Sequence, residues 1–137
     1  MIYLILAPVF LGVALFFFKL TTNTTHPFIG NLLAFLPAFL IQFSVFTYAK
    51  IRGFDLFFSQ KGIIFALSGG IFIGIYSVFV FLALSKFEVF RTMPIVYIGA
   101  ILLTTILGAL FLKEHISWVN ILGMLAIFIG FFLIFQK

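Results

Sequence analysis

The chain contains no cysteine, which excludes disulfide frameworks, thiolate nucleophiles and cysteine-ligated metal clusters. Acid is almost as scarce: Asp55, Glu88 and Glu114 are the only carboxylates in 137 residues. All three fall at or beyond the ends of apolar runs, so no proton relay is visible inside a membrane span. The two histidines, His26 and His115, stand in separate polar turns, which gives no support to a metal site. No nucleophile–base pair or phosphate-cradling loop can be assembled, so neither enzymatic chemistry nor a cofactor is expected. Charge of both signs reaches only 8%, too little to clothe a soluble domain of this length.

What fills the chain is hydrocarbon. Hydrophobic residues make up 65%, with 23 phenylalanines and a mean hydropathy of +1.38, a composition that belongs to membrane proteins. The phenylalanines are read as apolar filler facing lipid and neighbouring helices. The net charge of +5 is spread singly at the ends of apolar runs. Bases placed so orient helices in a bilayer, whereas nucleic-acid binding needs a clustered patch. The lipid bilayer is therefore the expected partner and nucleic acid is not. Residues 1–18 lack a basic leader and a small-residue cleavage site, and read as a membrane helix rather than a signal peptide.

A helix needs about 20 apolar residues to cross the hydrocarbon core. Five stretches meet or approach this: 1–18, 28–49, 62–85, 90–112 and 117–135. Polar segments at 21–27, 50–61, 86–88 and 113–115 divide them. None of the runs alternates, which excludes a transmembrane β-barrel. The expectation is an all-α membrane protein, one five-transmembrane-helix bundle occupying residues 1–137. With that topology Lys50, Arg52, Lys61 and Lys113 fall on one side, and Lys19, Lys86, Arg91 and Lys137 on the other. The tie leaves two readings open. Either the three bases between the second and third spans hold the N-terminus in the cytoplasm, or the chain inserts both ways up and pairs with an inverted copy.

Polar atoms inside the spans are few. The second span offers Asn31, Gln42, Ser44 and Thr47. Hydroxyls can return their hydrogen bond to the carbonyls of their own helix. An amide or phenol in hydrocarbon needs a partner or water, which singles out Gln42, Tyr76 and Tyr97. With Ser77, Thr104 and Thr105 they are the candidate lining of a substrate cavity. Small residues recur on single helix faces: Gly70 and Gly74, then Ala100, Thr104 and Gly108, then Gly123 and Gly130. Such faces let backbones approach, and they are the expected helix-packing surfaces. Tyr48 and Trp118 read as interfacial anchors, and Pro37 and Pro94 as sites of kinks.

The stretch "FLKEHISWVNILGMLAIFIGFFLI" resembles the last helix pair of drug/metabolite transporters, in both the EamA-like and the small multidrug resistance branches. The shared pattern is an acid or amide closing one helix, a glycine nine residues on and another seven beyond; here these are Glu114, Gly123 and Gly130. "FVFLALSKFEVFRTMPIVYIGAILLTTILGALFLKE" is similar to the two preceding helices, and "FFFKLTTNTTHPFIGNLLAF" to the opening of an EamA repeat. The resemblance covers nearly the whole chain as one five-helix repeat, and implies a membrane transporter that moves a small organic solute by alternating access. EamA-like proteins usually hold two such repeats of opposite orientation. A lone repeat is therefore expected to act as an antiparallel homodimer in a bacterial-type inner membrane. A heterodimer with a similar subunit and a flippase-like subunit for a lipid-linked sugar are related alternatives. A non-transporting scaffold is the reading from another class. The helix-1 glutamate of the small multidrug resistance branch has no counterpart in residues 1–18, so proton-coupled export by that device is not implied.

Glu114 is expected to mark a helix junction, its carboxylate facing the amides at the start of the last span, with Ser117 as cap. Arg91 is expected to pair with Glu88 one turn earlier rather than with a solute.

Overall fold

The computed structural model describes residues 2–57 and 59–135, the side chains of Phe131, Ile134 and Phe135 excepted. Lys137, one of the eight bases counted above, lies outside them. The described residues form five helices: α1 (Ile2–Thr24), α2 (Pro27–Ile51), α3 (Gln60–Lys86), α4 (Val89–Phe111) and α5 (Trp118–Phe135). They contain no strand, and the chain is an all-α, multi-pass integral membrane protein. By length and composition α1–α4 can each cross a bilayer. The 18 residues of α5 extend about 27 Å at ~1.5 Å per residue, near the short end of what a span requires.

The first break is narrower than the polar run at 21–27 suggests. Thr21 Oγ1 donates to the Phe17 carbonyl at 2.9 Å, Thr22 Oγ1 to that of Lys19 at 2.8 Å and Thr24 Oγ1 to that of Leu20 at 3.2 Å. The hydroxyls are thus satisfied by the helix itself, and α1 runs on through Thr24. Only Thr25 and His26 interrupt the helices. Pro27 then opens α2, where its missing N–H is no loss, and His26 Nδ1 accepts the Phe28 N–H at 3.4 Å.

The chain divides into two compact units, residues 1–86 and 87–137. In the first, α1, α2 and α3 pack on one another. Phe18 of α1 lies against Phe81 of α3 with ring centroids 4.7 Å apart, and Phe81 and Leu84 are fully buried. Gly30 of α2 closes this junction: a Cβ built on it would stand 2.6 Å from Thr21 Cγ2 and 3.2 Å from Phe81 Cε1. Lys50 and Lys61, expected in the second loop, belong to the ends of α2 and α3. Arg52 is held by the anchor Tyr48, donating from Nε to its Oη at 3.1 Å with the guanidinium over the ring.

The second unit is the pair α4 and α5. Ile98, Ile101 and Leu102 of α4 face Met124 and Ile127 of α5 across a crevice with no room for water. The anticipated pair forms at the start of α4, with Arg91 Nε 3.5 Å from Glu88 Oε2, on an exposed surface where it adds little stability. At the other end Lys113 adopts a left-handed conformation, φ 55°. This turn lets the N–H groups of both Leu112 and Glu114 reach the Gly108 carbonyl, at 3.0 and 3.2 Å.

Candidate functional site

Two hollows, one in each unit, hold residues expected to line a cavity. In the first, Asn31 and Leu32 of α2 face Gly74 and Ser77 of α3 around ≈ 340 Å³. Ser77 is buried, and its hydroxyl donates to the Gly74 carbonyl at 2.7 Å. The Asn31 Oδ1 is buried with no hydrogen-bond partner among the described residues.

The second hollow, open and of ≈ 570 Å³, runs along the last two turns of α4. Thr104, Thr105, Gly108, Phe111 and Glu114 line it together with Leu107 and Leu112. Thr104 Oγ1 donates to the Ala100 carbonyl and Thr105 Oγ1 to that of Ile101, both at 2.8 Å. Their hydrogens are committed to the helix, which leaves oxygen lone pairs for anything that enters.

Glu114 stands in the α4–α5 junction, but its carboxylate does not turn where the sequence suggests. A Cβ built on Gly108 would be 2.6 Å from Glu114 Oε2, so the carboxylate folds back over the last turn of α4. Ser117 performs the capping of α5 by itself, its Oγ accepting the Asn120 N–H at 3.3 Å. The reason lies in the backbone: the left-handed turn at Lys113 carries Glu114 back beneath Gly108.

The six expected cavity residues are divided between the two units, Gln42, Tyr76 and Ser77 in the first and Tyr97, Thr104 and Thr105 in the second. Ser77 belongs to the α2–α3 hollow and Thr104 and Thr105 to the α4 hollow. Gln42 and Tyr76 are exposed on α2 and α3, and Tyr97 is half-buried on α4. Among the small residues, Gly108 sits under Glu114, and Ala100 is exposed but supplies the carbonyl that holds Thr104. A Cβ added at Gly70, Gly74, Gly123 or Gly130 would meet no described atom of its own unit within 4 Å. The closely packed glycine, Gly30, is not among the expected packing residues, yet a signal for it exists: Gly30, Ala34 and Ala38 repeat at four-residue spacing along α2. Among the described residues no three histidine or acidic side chains gather as a metal site.

A family model of the EamA-like transporter family matches residues 1–136. No curated protein and no solved structure matches the chain.

Proposed function

We propose that this chain, which belongs to the EamA-like transporter family, is one half of a solute carrier of the cytoplasmic membrane, completed by an inverted copy of itself. What supports this reading is the family match over residues 1–136, which covers one set of five helices. Transporters built from inverted repeats enclose their substrate between two such sets, near the middle of the bilayer. One set alone leaves that cavity open.

The surface of the chain supports the pairing. Gln42 lies well inside α2, fifteen residues from its first, and is exposed. An amide held in hydrocarbon without a partner is costly, so a second subunit or a water-filled cavity is needed to cover it. The even split of bases between the two faces permits both orientations. In the assembled carrier α1–α4 line the passage and α5 serves mainly for packing, while the solute, a small organic molecule, is exposed alternately to the two sides. Reconstitution into liposomes tests the reading. Saturable flux of at least one solute from a broad panel is expected, reduced when Gln42, Tyr76 or Tyr97 is replaced. Flux equal to that of empty liposomes throughout the panel would leave a membrane scaffold as the better account.

A further inference from the structure

We propose that the hollow at the end of α4 is a binding subsite for an organic ammonium group, with Glu114 as its counter-ion. Glu114 makes no ion pair among the described residues, and its sequence neighbours Lys113 and His115 leave it unpaired. Its carboxylate lies over the last turn of α4, at Gly108. The final carbonyls of a helix have no following turn to bond and carry the negative end of its dipole. A carboxylate placed there adds negative charge to negative potential, an arrangement that a bound cation relieves. Farther along the hollow, the hydroxyl hydrogens of Thr104 and Thr105 are already given to their own helix. Every polar group facing the space therefore offers electron pairs, which favours cationic donors and repels anions.

The rest of the lining sets the kind of cation. Leu107 and Phe111 make most of the surface apolar, and a volume of ≈ 570 Å³ is far too large for a bare metal ion. It falls within the range of small-molecule sites, about 300–1,000 Å³. Thr104 lies seven residues before Phe111, so the hollow extends about 10 Å inward from the helix end at ~1.5 Å per residue. The occupant that fits has an ammonium head beside Glu114 and an apolar, preferably aromatic, body against α4 and the Phe111 ring.

This inference deepens the transport reading by naming a substrate class, and depends on that reading only for the claim that the bound cation is carried across. The probe is benzyltrimethylammonium, titrated against the full chain in lipid nanodiscs, with the anion 3-phenylpropanoate as control. Affinity for the cation is expected to fall at least tenfold in Glu114→Gln and to be largely kept in Glu114→Asp. Equal affinity in wild type and Glu114→Gln, or equal binding of the anion, overturns the proposal. A second measurement needs no variant. Because the chain has only three side-chain carboxylates, carbodiimide labelling followed by mass spectrometry reports each separately. The cation should protect Glu114 and leave Asp55 and Glu88 reactive, and absence of selective protection also overturns the site. Glu114-dependent binding without flux would remove the transport reading alone, whereas flux with Glu114-independent binding would remove the subsite alone.

Discussion

Lys19 of α1 donates from Nζ to the backbone carbonyl of Leu84, in the last turn of α3, at 2.6 Å. Thr22 Oγ1 approaches the same oxygen at 3.4 Å. The sequence places Lys19 at the edge of a span, where a lysine ordinarily reaches for water. Because α1 continues past it to Thr24, the ammonium is instead half-buried and finds the unpaired carbonyls at the end of a neighbouring helix.

Replacing Lys19 with methionine keeps the length and apolar stem and removes the donor. The Leu84 carbonyl, in a residue that is fully buried, then loses its charged partner. A hydrogen bond to a charged group contributes about 1.5–3 kcal/mol, so the melting temperature followed by circular dichroism in detergent should drop by several degrees. Lys19→Arg should recover most of the loss. A methionine variant that melts with wild type would mean that the contact contributes nothing to stability.

Gly30 and Gly70 make a paired test of where glycine is required by space. At Gly30 a methyl group collides with Thr21 and with Phe81, and Phe81 is only 1% exposed and unable to withdraw. Gly30→Ala should destabilise by about 1–3 kcal/mol through overpacking. At Gly70 the same methyl group meets open space within its unit, and alanine is the better helix former by ~1 kcal/mol. Gly70→Ala should therefore leave the melt of the monomer unchanged or raise it. If the stripe of Gly70 and Gly74 faces a second copy, the bulkier Gly70→Ile should weaken cross-linking between subunits without lowering that melt.

Much of the fold was legible because hydropathy and turn chemistry are local properties. Five apolar runs separated by polar breaks became five helices, and Pro27 opened α2 where an N-terminal proline belongs. Arg91 met Glu88 because a spacing of three residues on a helix brings two side chains together whatever surrounds them. What escaped depends on backbone detail or on distant contacts. Nothing in the letters KEH requires Lys113 to turn left-handed, yet that one torsion decides which helix end the Glu114 carboxylate meets. Gly70 and Gly74 advertise a packing face more loudly than Gly30, but Thr21 and Phe81 arrive only at Gly30, from two other helices.

The left-handed turn can be tested directly. A non-glycine residue in this conformation is held at a cost of about 1–2 kcal/mol. Glycine removes that strain while losing some entropy from the unfolded chain, so Lys113→Gly should stabilise by a net ~0.5–1 kcal/mol. Lys113→Val, branched at Cβ, should do the opposite and disturb the Gly108 carbonyl contacts. Amide exchange at Glu114 provides the local reading: slower in the glycine variant and faster in the valine variant.

The balance of bases leads to a prediction about insertion. If α5 crosses the bilayer as α1–α4 can, five spans put the two chain ends on opposite sides, and the sequence then assigns four of the eight bases to each side. An equal distribution gives the insertion machinery no preferred orientation. A reporter fused to the C-terminus should therefore give signal from both sides of the membrane. Lys50 and Lys61 are exposed at the helix ends next to the α2–α3 connection, outside the Tyr48–Arg52 contact, so both can be neutralised with little effect on packing. The double variant Lys50→Gln, Lys61→Gln takes two bases from the side shared with the N-terminus. The reporter should then move toward the cytoplasm, because the opposite face has become the richer in positive charge. Transport should fall in the double variant and return when it is co-expressed with a chain biased the other way, such as Lys86→Gln, Arg91→Gln. A reporter confined to one side in the unmodified chain, unmoved by either substitution pair, would rule out the inverted homodimer and leave a fixed-orientation subunit that needs a different partner.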